Sequence, residues 1–154
     1  MTILGIDPGS AETAYTIIDG DYNILASDKL PNAMLMVLLP QMEVSQVAIE
    51  SIQSYGMAVG REVFDTCFMI GRLQQKLEDM GKPVTLYPRP EYTRRLCGVG
   101  KVNDAVLRQA LLLRFGGDKK GEPLSLLKGA SDKRSAFAVA VYHLDGMPLR
   151  REPF

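Results

Sequence analysis

Three carboxylates in this chain fall where an acid is costly or directional. Asp7 follows the apolar run Ile3-Leu4-Gly5-Ile6 and is closed off at once by Pro8-Gly9. A short apolar run ended by Pro-Gly reads as a buried strand with a sharp exit, which puts Asp7 at the strand tip. Glu50 repeats the arrangement after Val47-Ala48-Ile49. Asp132 stands in the first turn of a helix read from Ser131 onward, with Ser135 three residues on and on the same face. A strand entered through a helical crossover lies parallel to its partner. If 46–50 pairs in this way beside 3–7, Asp7 and Glu50 share one sheet edge on strands about 4.8 Å apart. Two carboxylates that close cannot both ionise cheaply without a cation. Hard oxygen donors at the carboxyl edge of a parallel pair suit Mg²⁺ or Mn²⁺. Each acid also has a plainer reading. Asp7 can bond the amides of its own turn, and an acid beginning a helix already favours the dipole.

The elements that must position these residues follow from pattern. Thr13–Asp19 is rich in β-branched and aromatic residues, Gly20-Asp21 reads as a hairpin turn, and Tyr22–Ser27 is a third strand. Pro31–Met42 reads as a helix with a break near Pro40. From Met57 to Met80 the residues Val59, Val63, Cys67, Ile70, Leu73, Leu77 and Met80 recur at helical spacing. Pro83–Tyr87 is a fifth strand, and Pro90–Cys97 a short helical turn. Asn103 caps a helix whose apolar side is Val106, Leu107, Ala110, Leu111 and Leu113. Gly116–Gly129 is a Gly/Lys-rich connector, and Ser131 is the N-cap candidate of the last helix. The order is that of a mixed α/β layer fold, with helices covering a partly parallel, five-stranded sheet.

The chain has 154 residues, 46% of them apolar and 23% charged, which suits one soluble domain over 1–154. No apolar run is long enough to cross a bilayer and no signal peptide is read, so neither a membrane partner nor export is expected. Cys67 and Cys97 make no metal or disulfide framework and read as free thiols of a reducing cytoplasm. The formal net charge is zero, yet residues 1–60 carry one base (Lys29) against seven acids, and residues 61–154 carry 17 bases against 11 acids. That asymmetry can hide a basic face behind a neutral total, or be no more than a solvated surface. His143, alone of its type, reads as a structural or surface residue rather than a ligand.

ILGIDPGS, then VAIE, then Gly98-Val99-Gly100-Lys101 ahead of a helix, then the Asp132 helix start in order along the chain, resemble the RuvC family of Holliday-junction resolvases, in its compact bacteriophage-type branch. The resemblance implies the three-layer fold of the RNase H-like nuclease superfamily. It implies a homodimer that nicks four-way and other branched DNA with two Mg²⁺ ions per active site, Mn²⁺ serving as substitute. By position Asp7 matches the family's first-strand aspartate, Glu50 its fourth-strand glutamate and Asp132 the first acidic position of its last helix. The fourth metal position is usually Asp in the family and is Ser135 here, a neutral ligand or water anchor. Two cations would clamp the scissile phosphate, Asp7 bridging both, and leave 5′-phosphate and 3′-hydroxyl ends. For DNA, Gln53 and Tyr55 after Glu50 are candidates to touch bases. Arg94, Arg95, Lys101, Lys128, Lys133 and Arg134 are candidates for phosphates. The plainer readings are a half-buried loop tyrosine and bases kept for solubility. The long helix also forms part of the implied dimer interface, and a phage origin implies the bacterial host's cytoplasm.

Two other functions compete. One is a RuvC-like dimer that holds branched DNA and cuts poorly, because Ser135 replaces an acid. The other is a phosphotransferase of the sugar-kinase/actin superfamily, which has a similar Asp-x-Gly first turn. Such kinases usually need a second copy of the core, and 154 residues hold one.

Overall fold

The computed structural model describes residues 1–148. Its five strands are β1 (Thr2–Asp7), β2 (Glu12–Asp19), β3 (Ile24–Pro31), β4 (Gln46–Ser51) and β5 (Val84–Pro88). The helices are α1 (Asn32–Leu38), α2 (Arg61–Asp79), α3 (Arg89–Cys97), α4 (Asp104–Phe115) and α5 (Ser131–Asp145), with short 3₁₀ turns at Leu39–Gln41 and Ser125–Leu127. One sheet takes the order β3-β2-β1-β4-β5. β1–β2 and β2–β3 are antiparallel, whereas β1–β4 and β4–β5 are parallel. The expected mixed sheet flanked by helices is therefore present.

Alternation along β1 and β4 decides what each face holds, since successive side chains point to opposite sides. Leu4, Ile6, Val47 and Ile49 pack with Leu35 of α1 and Met69, Leu73 and Leu77 of α2. Ile3 and Ala48 pack on the other side with Tyr92 of α3, Leu107 and Leu111 of α4, and Phe137–Val141 of α5. By the same alternation Asp7 and Glu50 fall on the α5 side. Gly5 lets α5 come down onto β1. A Cβ at Gly5 would collide with the Ala136 carbonyl oxygen and stand 2.8 Å from the Ala140 Cβ. Thr16 Oγ1, buried on β2, donates to the Lys133 carbonyl (3.2 Å) and ties the first turn of α5 to the sheet.

Several boundaries differ from expectation. β3 starts at Ile24 and not Tyr22, because Tyr22 sits in the turn at φ +66°, where the Asp19 carboxylate accepts from the Asp21 and Asn23 amides. α2 starts at Arg61 and not Met57, since Met57 and Val59 have nothing to pack against and are 78% and 51% exposed. The buried stripe of α2 is Met69, Ile70, Leu73 and Leu77, while Cys67 is exposed and Val63 half-buried. Pro90–Cys97 belongs to a nine-residue helix that buries Tyr92 and Thr93. On α4, Leu113 is exposed and only Leu107 and Leu111 are buried. Asn103 does cap α4, its Oδ1 accepting from the Val106 amide (2.9 Å). Ser131 is the first residue of α5 rather than its cap, Ala130 holding the cap position with no side-chain bond. His143 is structural as read, bonded to Tyr87 Oη (2.8 Å) and to Gln46 Oε1.

If Gly5 is what seats α5, then Gly5→Ala should cost about 3 kcal/mol by overpacking. At roughly 2–4 °C per kcal/mol for a domain of this size, that lowers the thermal midpoint by about 6–12 °C. Circular dichroism melting checks it; an unchanged midpoint would mean the helix is free to lift.

Candidate active site

One cross-strand row carries the site. Lys29 on β3 pairs with Ala14 on β2, and Ala14 pairs with Asp7 on β1. The β1–β4 register runs to Ile6 opposite Ile49, which sets Glu50 beside Asp7. Glu50 in turn pairs with Tyr87 on β5. Residues directly opposite one another point to the same face, so Lys29, Asp7 and Glu50 line up beneath the start of α5, with the small Ala14 between Lys29 and Asp7. Pro8 and Gly9 leave this row in a loop held by side chains of other elements. Thr13 Oγ1 accepts from the Gly9 amide (3.3 Å) and donates to Asn32 Oδ1 (2.7 Å), and Asn32 Nδ2 donates to the Gly9 carbonyl (3.0 Å). The turn's amide thus has a partner other than Asp7.

Asp7 and Glu50 stand close enough for each to weigh on the other's ionisation. Burial, first of all, raises the pKa of Asp7; the Glu50 and Asp132 charges add to it and Arg89 opposes it. Burial also raises Glu50, against hydrogen bonds from Tyr92 and Asp7 and the charge of Arg89. Tyr92 Oη donates to Glu50 Oε2 at 2.7 Å, and burial beside that carboxylate keeps its phenol protonated far above the usual range.

Two cations close the ends of the cluster. Lys29 Nζ meets Asp132 Oδ2 at 2.6 Å. Arg89, the first residue of α3, sends Nη1 to Ser135 Oγ (2.9 Å) and Tyr92 Oη (3.3 Å), and Nη2 to Asp104 Oδ1 (3.0 Å). Its Nη1 also stands 3.8 Å from Glu50 Oε2. Ser135 is 2% exposed, so this bond is made inside the protein.

Arg89, Lys29, Tyr92 and Asp104 are not among the residues the sequence singles out. Lys29 did carry a signal, as the only base among the first 60 residues, though it lies beyond the expected third strand and on the longer β3 of the structure. Arg89 carried almost none, since a base between two prolines reads as a turn residue.

As the side chains stand, no group of three or more His, Cys, Asp or Glu among the described residues is gathered to hold a metal ion. Asp132 is turned to Lys29, and Ser135 to Arg89. The Asp7–Glu50 pair does fit one hard divalent cation. It is a half-buried pair of oxygen donors whose repulsion such an ion would relieve. The four-ligand arrangement implied by the resemblance is not assembled.

The remaining candidates spread widely. Gln53 and Tyr55 lie in the exposed loop 52–60 that leaves Glu50, with Tyr55 Oη 3.5 Å from Gln53 Oε1. Lys101 is exposed in the loop before α4, and Lys128 is exposed just before α5. Arg94 is exposed on α3 and holds the Gly100 carbonyl (3.2 Å). Lys133 and Arg134 are half-buried in the first turn of α5, and Arg134 Nε is buried with no hydrogen-bond partner. Arg95 sits instead near Asp145, whose pKa it helps to lower, at the far end of α5. A wide hollow lined by Thr2, Met42, Val44 and Met80 lies at the other end of β1 from Asp7.

No family model and no curated protein matches the chain. Among solved structures it is similar to RuvC of Thermus thermophilus in complex with a Holliday-junction substrate. The TM-score is 0.71 at 18% identity, over 93% of this chain and 92% of that one. A structure of the same Thermus thermophilus protein gives a TM-score of 0.68 at 18% identity, over 93% of each chain. Likeness at this identity speaks to fold, and the fold of this chain is the RuvC-like, RNase H-like one.

Proposed function

We propose that the chain is a metal-dependent endonuclease that resolves Holliday junctions and other branched DNA. The observation that carries this reading is the half-buried Asp7–Glu50 pair, set side by side at the carboxyl edge of β1 and β4 beneath Asp132, on a RuvC-like fold. A divalent cation bound there, Mg²⁺ or Mn²⁺, would activate a water and neutralise charge on the scissile phosphate, leaving 5′-phosphate and 3′-hydroxyl ends. The chain's own residues do the rest. Asp7 and Glu50 hold the ion once both are ionised. Tyr92 fixes the Glu50 carboxylate in place. Gln53 and Tyr55, exposed beside this edge, face the centre of a branched DNA, and Arg94, Lys101, Lys128, Lys133 and Arg134 serve its phosphates. The free thiols Cys67 and Cys97 support a reducing cytoplasm as the place of action.

Two strands of a junction are nicked together only by two active sites, so a homodimer belongs to this reading. Its support is an uncovered apolar stripe, Phe64 and Phe68 one turn apart on α2, 55% and 68% exposed, with Met57 and Val59 beside them.

Asp7→Asn keeps shape and removes the charge. Cleavage of a labelled four-way junction in Mg²⁺ should fall at least about a hundredfold, with the junction still bound in a gel-shift assay. Because the folded site raises the pKa of Asp7, wild-type stability is lost as the pH rises above the carboxylate's usual range. Asn escapes that penalty, so the metal-free variant should melt about 3 °C or more above wild type at pH 7. Near-normal cutting by Asp7→Asn sinks the site assignment; so does a junction left intact by the wild type in both Mg²⁺ and Mn²⁺. For the dimer, Phe64→Glu with Phe68→Glu should shift the mass measured by light scattering from two chains to one. A wild type already monomeric at micromolar concentration would remove the α2 interface.

A further inference from the structure

Resting on the nuclease reading, we propose that the Arg89 guanidinium takes the place of a second divalent cation. It binds the scissile phosphate through its free Nε–H and Nη2–H, and each site works with one metal ion.

Four observations converge. First, the position that would need an acid to hold a second ion is Ser135, and its hydroxyl already accepts from Arg89 Nη1 at 2.9 Å. A neutral buried hydroxyl cannot draw a strongly hydrated cation out of water, but it can orient a guanidinium. Second, the bonds of Arg89 to Ser135, Tyr92 and Asp104 employ three of its five N–H donors and fix its plane from three elements. The other two have no partner among the described residues, and the side chain keeps 30% of its surface open. A planar donor fork held at its back and open in front suits a phosphate's paired oxygens.

Third, Arg89 reaches the same acid that the metal needs. Its Nη1 is 3.8 Å from Glu50 Oε2, so the guanidinium itself stands beside an ion held by Asp7 and Glu50. Fourth, cations already occupy the cluster. Lys29 is paired with Asp132 and Arg89 with Asp104, so a second divalent ion would stand beside a guanidinium that cannot lose its proton.

The role is transition-state charge stabilisation by a preset donor, whose removal typically costs 10²–10³ in rate. No bond is made or broken by Arg89. The nucleophilic water attacks phosphorus, the 3′ oxygen leaves, and Arg89 holds the non-bridging oxygens throughout.

The test counts ions as well as rate. Mn²⁺ binding, followed by electron paramagnetic resonance and calorimetry on the full chain with no DNA, should saturate at one ion per wild-type protomer. Arg89→Ala combined with Ser135→Asp should take two. With junction DNA in saturating Mn²⁺, Arg89→Ala should cut about a hundredfold more slowly with less than about threefold loss of affinity. Arg89→Lys, which keeps the charge without the fork, should recover only part of the rate. Two ions per wild-type protomer, or full activity in Arg89→Ala, overturns the proposal while leaving the nuclease reading in place. A wild type that binds no Mn²⁺ and cuts no junction overturns that reading and this one with it. Should Arg89→Ala fail to fold, the wild-type ion count and Arg89→Lys still decide.

Discussion

Two half-buried carboxyl groups side by side at one sheet edge constrain everything else in this molecule. Asp7 and Glu50 stand side by side because β1 and β4 are parallel and in register, and they face the covered side of the sheet because strand side chains alternate. Loss of solvent first, and then the Glu50 charge beside it, drive the pKa of Asp7 up. A fold that only needed stability would place apolar side chains there, as it does one residue earlier with Ile6 and Ile49. The neighbours are arranged to make the pair tolerable. Tyr92 donates to Glu50, Arg89 stands behind it, and Lys29 draws Asp132 to one side. A strained resting pair of this kind gains the most from a bound cation, so the energetic liability and the proposed chemistry have one source.

Getting a helix onto that pair is a packing problem solved by small residues. Gly5, Ala136 and Ala140 let the α5 backbone approach β1 closely, and Thr16 ties the first turn at Lys133. The result is that Asp132 and Ser135 begin their helix above the row holding Lys29, Asp7 and Glu50. The apolar middle of α5, Phe137 to Val141, is wholly buried, so the polar first turn is carried by a rigid element.

Much of this was legible in the chain, and the reasons are local. β1 and β4 announce themselves as apolar runs that end in an acid, and the crossover rule makes them parallel, so the adjacency of Asp7 and Glu50 follows from sequence. Asn103 follows from its capping chemistry, and the structural role of His143 from its isolation. What was hidden depends on long-range contact. Arg89 meets residues from four elements, and no spacing pattern encodes such a meeting. Lys29 lies more than 100 positions from Asp132, and the two meet only because β3 and the start of α5 come together over the sheet. The start of α2 was misplaced for a related reason. Met57 and Val59 carry helical spacing, but nothing in the fold covers them. Arg95 looks equivalent to Arg94 in sequence, and the turn of α3 sends it towards Asp145 instead.

The basic residues sort by geometry rather than by count. Lys101, Lys128 and Arg94 are exposed, whereas Lys29 and Arg89 are committed to acids of the cluster. The most direct measurement is the anomalous diffraction of Mn²⁺ in crystals of the wild-type protein. One peak in contact with both Asp7 and Glu50 is the expected result. No peak at that edge, in crystals saturated with the ion, would contradict the assignment of the acid pair as a metal site.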